Sequence, residues 1–284
     1  MILKNLPVLL MTALTAFAAN SIFCRLALED LSIDATSFTC LRLLSGALAL
    51  IIICLFSSKS WKLSSPKPLP VFSLFVYMIC FSFAYINLSA GTGALLLFAF
   101  VQITMVGVAL IQGQKMSAVA WLGLSLAMLG LVYLVSPGVR APDPLFAILM
   151  ALAGVAWGVY SLCGAKVTDP TSSTASNFMY ASVLAVLVSI FTFESAYFST
   201  KGIALALASG IFASGIGYAI WYRVLPLIPV TSAASLQLSV PALAAFGGII
   251  FIGESLSLRL LISVLAIIGG IALVIQQNRK ASDG

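Results

Sequence analysis

The sequence predicts an all-α integral membrane protein of ten transmembrane helices, arranged as two inverted five-helix repeats. Composition is the first reason, because 62% of the 284 residues are hydrophobic and 8% are charged, whereas soluble domains carry roughly 25% charged residues. The second is the presence of ten apolar runs, each near the ~20 residues that a helix needs to cross a bilayer core. The third is an internal repeat at an offset of about 140 residues.

The internal repeat is clearest between residues 91–135 and residues 218–277. At that offset the matched positions are Gly113-Gln114 with Gly253-Glu254, Gly130 with Gly270, and Thr92-Gly93-Ala94 with Ser232-Ala233-Ala234. A self-match at a fixed offset predicts two similar structural units. We place them at residues 1–138 and 139–284.

The predicted spans, in chain order, are 6–27, 35–57, 69–89, 92–112, 117–136, 145–166, 174–193, 203–224, 228–251 and 257–276. The first span also has a feature of a signal peptide, because Lys4 precedes an apolar run. Its final residues, Asn20 to Arg25, have a counterpart at the end of the sixth span, Ser161 to Lys166. Removal of the first span would leave the sixth without a partner, so we expect it to be retained.

Basic residues are concentrated in the segments that a cytoplasmic N terminus would place inside, above all Lys59, Lys62 and Lys67. The positive-inside rule therefore predicts that both termini are cytoplasmic. Each half holds five spans, an odd number, so the second half must enter the membrane upside down. Inverted repeats allow two mirror-related conformations that open to opposite sides of a site near the midplane, which is the basis of alternating access.

Several classes of function are excluded by what the sequence lacks. There is no histidine, and the five cysteines show no paired spacing, so we expect no metal site and no cofactor. No nucleophile with a nearby base is embedded in the spans, so we expect no catalytic residues and no enzyme. The net charge of +6 is typical of cytoplasmic loops in membrane proteins and does not require nucleic acid.

A set of residues across nearly the whole chain resembles the EamA family of the drug/metabolite transporter superfamily. These residues are Arg25, Arg42, Trp157-Gly158, Lys166, Pro241, Gly253-Glu254, Gly269-Gly270 and the small residues that begin the fourth and ninth spans. The resemblance implies a ten-helix transporter of the bacterial inner membrane with a central cavity. It implies that the third, fourth, eighth and ninth helices, with parts of the first and sixth, line the cavity, and that the fifth and tenth lie outside.

The same resemblance implies a secondary transporter that moves a small polar metabolite, with export of an amino acid or related compound as the first expectation. Uptake of a vitamin, nucleobase or other nutrient by the same fold is the alternative. The expected partners are the small-molecule substrate and the lipid bilayer, with the chain a monomer or a weak homodimer.

Polar residues deep in apolar spans are the candidates for substrate contact, because they are costly there unless they are paired or face water. They are Asn20, Gln102 and Gln237. Asn20 has a structural alternative, an interhelical hydrogen bond. The aromatic candidates for the cavity are Tyr85, Trp157, Tyr218 and Phe98, of which Phe98 is either a gate or a lipid-facing or packing residue.

Arg42 is the only strongly charged residue well inside a predicted span. One interpretation lets its guanidinium extend outward to Asp34 or Glu29, and the other makes it the counter-charge for a substrate carboxylate. Pro241 breaks the backbone hydrogen bonding of the ninth span and is a candidate hinge. No Asp or Glu lies at the centre of a span, which disfavours a purely cationic substrate and leaves a boundary acid such as Glu254 for ion coupling.

Small residues predict where helices approach closely. On the eighth span they recur every four residues, at Ser209, Ala213 and Gly217. On the fifth and tenth spans the candidates are Gly123, Gly130 and the pair Gly269-Gly270.

Overall fold

The computed structural model describes residues 6–56, 62–113, 117–136, 141–164, 167–224, 227, 236–237 and 239–282. Within these ranges the helices that occupy the predicted spans are α1 (Leu6–Glu29), α2 (Ala35–Phe56), α3 (Pro68–Ala84), α4 (Ala90–Ile111), α5 (Ala118–Val135), α6 (Pro144–Gly164), α7 (Pro170–Phe191), α8 (Thr200–Val224), α9 (Ser239–Ile252) and α10 (Leu258–Ser282). A short 3₁₀ turn, Phe193–Ser195, follows α7.

Six of the described helices are long and apolar enough to cross a membrane, namely α1, α2, α4, α6, α7 and α8. The other four, α3, α5, α9 and α10, are apolar over shorter stretches. The fold is therefore that of a multi-pass helical membrane protein, and crossing by the four shorter helices stays a prediction. Gln114 and Lys166 lie outside the described residues.

Local sequence signals explain where several helices begin. Pro68 and Pro170 stand in the first turns of α3 and α7, where the missing N–H of proline is not needed. Serines precede α4, α5 and α8, and the side chains of Ser89, Ser117 and Ser199 each accept a hydrogen bond from a first-turn N–H. Such caps satisfy amides that have no partner inside the helix.

The two halves share a backbone feature at a matched position. Gly113 follows α4 with a φ of 85°, and Gly253 follows α9 with a φ of 79°. They are the two glycines with positive φ in the described chain, and glycine is the residue that adopts this left-handed conformation without strain. Their equivalence supports the register in which the sequence repeats.

Helices α5 and α10 pack mainly against each other, with smaller contacts to α4. Glycines allow this approach, since a Cβ atom on Gly130 would lie 2.8 Å from Cβ of Ala266, and Gly123 faces Gly270 directly. Gly269 faces open space instead. The prediction for this pair of helices therefore holds for Gly123, Gly130 and Gly270 but not for Gly269.

The middle of α8 is a π-helix, Ser209–Ile216. The close contacts with α2 are made by Gly210 and Gly215, five residues apart: added Cβ atoms would lie 2.5 Å from the Arg42 carbonyl oxygen and 2.8 Å from Cβ of Ala49. Gly217 approaches α1 at Ala16. The predicted spacing of four residues is therefore wrong for the contact with α2, because the helix widens at this point.

The bundle has two ends that differ in their contacts. At the Lys67 end, the segment before α3 packs on α7, with Ser64 N–H donating to Ser176 Oγ at 3.2 Å and Tyr180 donating to the Ser64 carbonyl at 3.0 Å. At the Glu254 end, the α1–α2 turn pairs with the α7–α8 turn through a bridge between Ile33 and Phe198.

Candidate functional site

Arg42 lies in the interior of the bundle and is fully buried. Its Nε donates to Ser214 Oγ at 3.2 Å, and its Nη2 donates to the Tyr77 hydroxyl at 3.2 Å. The ring of Phe81 stacks under the guanidinium at 4.8 Å. The expectation that Arg42 extends outward to Asp34 or Glu29 is wrong, because these interior hydroxyls and the aromatic face provide its contacts instead.

The Arg42 guanidinium has one hydrogen-bond donor that is not used. Its Nη1 is buried without a hydrogen-bond partner among the described residues, and none of the ion pairs found there involves it. A buried charge without a counter-ion is strongly unfavourable, and a buried donor without an acceptor adds roughly 1–3 kcal/mol. An anion that reached Nη1 would relieve both terms.

The π-helix brings two serines to the same place. Ser209 donates to Asn20 Oδ1 at 2.8 Å and Ser214 donates to the same oxygen at 3.3 Å. In an α-helix, residues five apart point in different directions, whereas the wider π turn aligns them. π-helical turns are frequent at functional sites. Asn20 therefore makes the interhelical bonds that were one of its two interpretations, and it does so beside Arg42.

Aromatic rings pack beside the Arg42 site. Trp157 lies 4.8 Å from Tyr77, 5.2 Å from Tyr218 and 5.5 Å from Tyr160, measured between ring centroids. Tyr218 also packs edge-on against Phe17 of α1 at 5.6 Å. The structure thus brings together Asn20, Arg42, Trp157 and Tyr218, four of the residues singled out from the sequence.

Other candidates lie elsewhere. Phe98 is buried in the core, and Gln102 lines a small apolar cavity of about 20 Å³ between α4, α5 and α10. Gln237 is half-buried, and Pro241 is buried within α9. The hydrogen bonds and ring contacts of the Arg42 site within the described residues involve none of these four side chains, so their roles in substrate movement stay predictions.

Tyr85 lies at the Glu254 end rather than deep in α3. It follows the last residue of that helix, is fully buried, and donates from its hydroxyl to the Ala90 carbonyl at 3.3 Å. Gly93 leaves the space that the Tyr85 ring occupies. Tyr85 still contacts the site indirectly, because its ring packs 4.7 Å from Phe81.

Glu254 joins the two halves of the chain. Its carboxylate oxygens accept from Ala90 N–H at 2.8 and 3.0 Å, at the start of α4, and Arg25 Nε lies 3.7 Å from Oε1. Gly248 leaves the room for this carboxylate. Burial raises the pKa of the Glu254 carboxyl above its ordinary value, and the Ala90 hydrogen bond and Arg25 offset part of that rise.

Arg25 extends the same contact to α3. Its Nη1 donates to the carbonyls of Tyr85 and Ile86 at 3.2 and 2.9 Å, and its Nη2 pairs with Glu29 at 2.9 Å. Arg25, Ala90 and Glu254 together hold α1, α3, α4 and the α9–α10 turn. We call this set the Glu254 clamp.

At the opposite end lies a cavity of about 240 Å³. It is bounded by the beginning of α3, the end of α6, the beginning of α7 and Tyr222 of α8. Tyr160 belongs both to this cavity and to the aromatic cluster. The Glu254 clamp therefore joins the helices at one end of the bundle, and the cavity lies at the Lys67 end.

Tyr77, Ser209 and Ser214 contact Arg42 or Asn20 but were not identified as site residues from the sequence. The sequence signal for Tyr77 is its place in a row of three aromatic residues spaced by four, Tyr77, Phe81 and Tyr85. The serines had a clearer signal, because Ser-Gly-Ile occurs at residues 209–211 and again at residues 214–216. This five-residue spacing matches the π turn of the structure, whereas a regular α-helix would place the two serines on different faces.

Comparisons with known proteins agree on the family. The model described as the EamA-like transporter family matches residues 6–136 and again residues 145–276. An uncharacterized protein of Pseudomonas aeruginosa is 44% identical over 274 residues, which cover 96% of each chain. The threonine/homoserine exporter RhtA of Escherichia coli K12 is 29% identical over 231 residues, 79% of this chain and 76% of RhtA.

A solved crystal structure has the same fold, with a TM-score of 0.71 over 97% of this chain and 99% of the other, at 19% identity. The family model covers each half of the chain separately, in agreement with the internal repeat. The chain therefore belongs to the EamA-like transporter family, within the drug/metabolite transporter superfamily.

Proposed function

We propose that the chain is a secondary transporter that exports an amino acid or a closely related metabolite by alternating access. The observation that carries the substrate class is the buried guanidinium of Arg42 with its unpartnered Nη1. A carboxylate is the group that matches a guanidinium in charge and geometry. The similarity to the threonine/homoserine exporter RhtA supports the same class.

The surroundings of Arg42 suit a zwitterion rather than a simple anion. Trp157 packs against Tyr77 and Tyr218 beside Arg42, and aromatic rings attract an ammonium group through cation–π contact when a ring face is open to it. Ser209 and Ser214 donate their hydroxyl protons to Asn20 Oδ1, so the groups left for a polar side chain are the Asn20 Nδ2 protons and the hydroxyl lone pairs. A small hydroxylated amino acid combines all three features.

The difference between the two ends supports loading of substrate from the cytoplasmic side. In this conformation the Glu254 clamp holds one end together, while the cavity lies at the Lys67 end. The predicted orientation puts the Lys67 end on the cytoplasmic side, so this conformation is the one that would load substrate from the cytoplasm. Opening of the Glu254 clamp would then release the substrate outside.

Transport by purified protein in liposomes tests the proposal. Counterflow of labelled L-threonine or L-homoserine is expected, with nucleobases and vitamins as the comparison solutes. In cells, overexpression is expected to protect against toxic analogues of these amino acids. Movement of nucleobases or vitamins alone, with overexpression that sensitises cells, would instead favour nutrient uptake by the same fold.

Pro241 provides a separate test of alternating access. It is buried in α9, which ends in a second π-helical turn, Gly248–Ile252, next to the Glu254 clamp. We expect Pro241→Ala to slow transport several-fold, because residues 236–237 are also helical and the alanine N–H can bond to the Gln237 carbonyl, which stiffens this segment. Initial rates in liposomes measure the effect, and unchanged rates in a well-expressed variant would contradict the hinge role.

A further inference from the structure

The cavity at the Lys67 end is lined by polar groups as well as apolar ones. Asn177 is 9% exposed, and its Nδ2 donates to the Tyr160 hydroxyl at 3.5 Å, while that hydroxyl donates to Thr174 Oγ1 at 3.4 Å. Both bonds lie at the long limit for such contacts. None of the described residues donates a hydrogen bond to Asn177 Oδ1, so this oxygen can accept one from a solute in the cavity.

A positive charge stands at the mouth of the same cavity. Lys67 precedes α3, is exposed, and forms no ion pair with the described residues. An ammonium group on a flexible stem is a point charge that adapts to a carboxylate in several positions. The cavity thus offers a cation at its mouth and an acceptor inside, the two groups that a zwitterion needs.

Aromatic rings separate this cavity from Arg42. Tyr160 lines the cavity and packs 5.5 Å from Trp157, which packs 4.8 Å from Tyr77. The hydroxyl of Tyr77 in turn accepts from Arg42. A solute in the cavity is therefore separated from the guanidinium by three successive rings, Tyr160, Trp157 and Tyr77, which we call the aromatic layer, and it does not share the guanidinium's ligands.

We propose that the cavity is a waiting site, in which a zwitterionic amino acid binds before it passes the aromatic layer to Arg42. Lys67 binds the solute carboxylate there, and Asn177 Oδ1 accepts a hydrogen bond from its ammonium group. This inference rests on the proposed function and adds a second, earlier binding step. Binding at the waiting site does not require the Arg42 charge.

Cys163 makes the waiting site measurable. It lines the cavity and is a free thiol, whereas Cys24 and Cys54 are buried. A membrane-impermeant thiol reagent is applied to inside-out and right-side-out vesicles, and the Cys163 signal is the labelling that Cys163→Ala removes. We expect labelling in inside-out vesicles and protection by L-threonine or L-homoserine. Lys67→Gln and Asn177→Leu should each raise the concentration for half-protection about 10-fold.

Two further variants separate the waiting site from transport itself. Lys62→Gln, an exposed neighbour in the same segment that does not line the cavity, should leave protection unchanged. Arg42→Gln should abolish transport while leaving Cys163 protection intact. That last result would establish two distinct binding steps.

The contrary outcomes are distinct. Loss of protection in Arg42→Gln, absence of protection in a wild type that transports, or a Cys163 thiol that reacts from neither side would overturn the waiting site and leave the proposed function standing. Failure of every amino acid both to protect Cys163 and to be transported would overturn the proposed function, and the waiting site with it.

Discussion

Replacement of Arg42 with glutamine is expected to reduce amino acid transport about 100-fold or more. The loss of one partner from a buried, hydrogen-bonded charge pair typically costs 2–5 kcal/mol of binding, and each 1.4 kcal/mol is a factor of ten. Glutamine places its amide nitrogen near the position of Arg42 Nε and can still donate to Ser214, so the loss is assigned to the outer guanidinium and its charge. Initial rates of counterflow in liposomes give the measurement.

The same variant should be at least as stable to heat as the wild type. Arg42 is fully buried with an unpartnered Nη1, and replacement of such charges is often neutral or stabilising. The matched control is Lys201→Gln, which removes an exposed cation paired with Asp30 and should change neither rate nor stability, since surface pairs contribute little. A sharp loss of stability in Arg42→Gln would make Arg42 a structural residue instead.

Glu254→Ala is expected to open the Glu254 end. The substitution leaves Ala90 N–H without its acceptor at the start of α4, and loss of such a cap costs about 1–2 kcal/mol. That energy corresponds to roughly a tenfold shift between closed and open populations. A cysteine introduced at Thr92, in the first turn of α4, reports the shift as an increase of the same size in its reactivity from outside.

Glu254→Gln should behave differently, because its amide oxygen still accepts from Ala90 while the buried charge is gone. Arg25, Glu29 and Tyr85 are the titratable groups that interact with Glu254 here. The pKa of Glu254 is raised by burial above its ordinary value of 4.5, so the closed end binds a proton more tightly than an open end with a solvated carboxyl. The stabilisation of the closed end by this proton is complete below pH 4.5, and it is lost as the pH rises through the closed-state pKa of Glu254.

Acidification is therefore expected to lower the reactivity of the Thr92→Cys probe in the wild-type background relative to the same probe in Glu254→Gln. Normalisation to Glu254→Gln removes the pH dependence of the thiol itself. A ratio that rises on acidification would mean that protonation releases the clamp.

The sequence was sufficient for the class of fold and the register of the repeat. Apolar runs and low charge predict membrane helices wherever they are combined, and the glycines at 113 and 253 mark equivalent turns because both need positive φ. The close approach of α5 and α10 was also predictable. Small residues on an apolar helix face, such as Gly123, Gly130 and Gly270, allow two helices to pack closely.

The surroundings of Arg42 were not predictable in the same way. Its position along α2 suggested a short route outward, but its partner Ser214 lies 172 residues further along the chain. The alignment of Ser209 with Ser214 depends on a π turn. An α-helix with 3.6 residues per turn would place these two serines on different faces. The distance from Arg42 to the end of α2 can be counted along the sequence of that helix. The side chains from other helices that contact Arg42 cannot be found in this way.

The π turn at Ser209–Ile216 also determines which way the side chains of the following residues, Gly217–Val224, point. A return to ordinary α-helical bonding would take one residue out of that turn and rotate Gly217–Val224 by about 100° relative to the residues before it. Tyr218 and Trp221 would leave their contacts with Phe17, and Ser214 would turn away from Ser209. One added or deleted residue in this turn is thus enough to change which side chains of Gly217–Val224 face the interior, without any substitution among them.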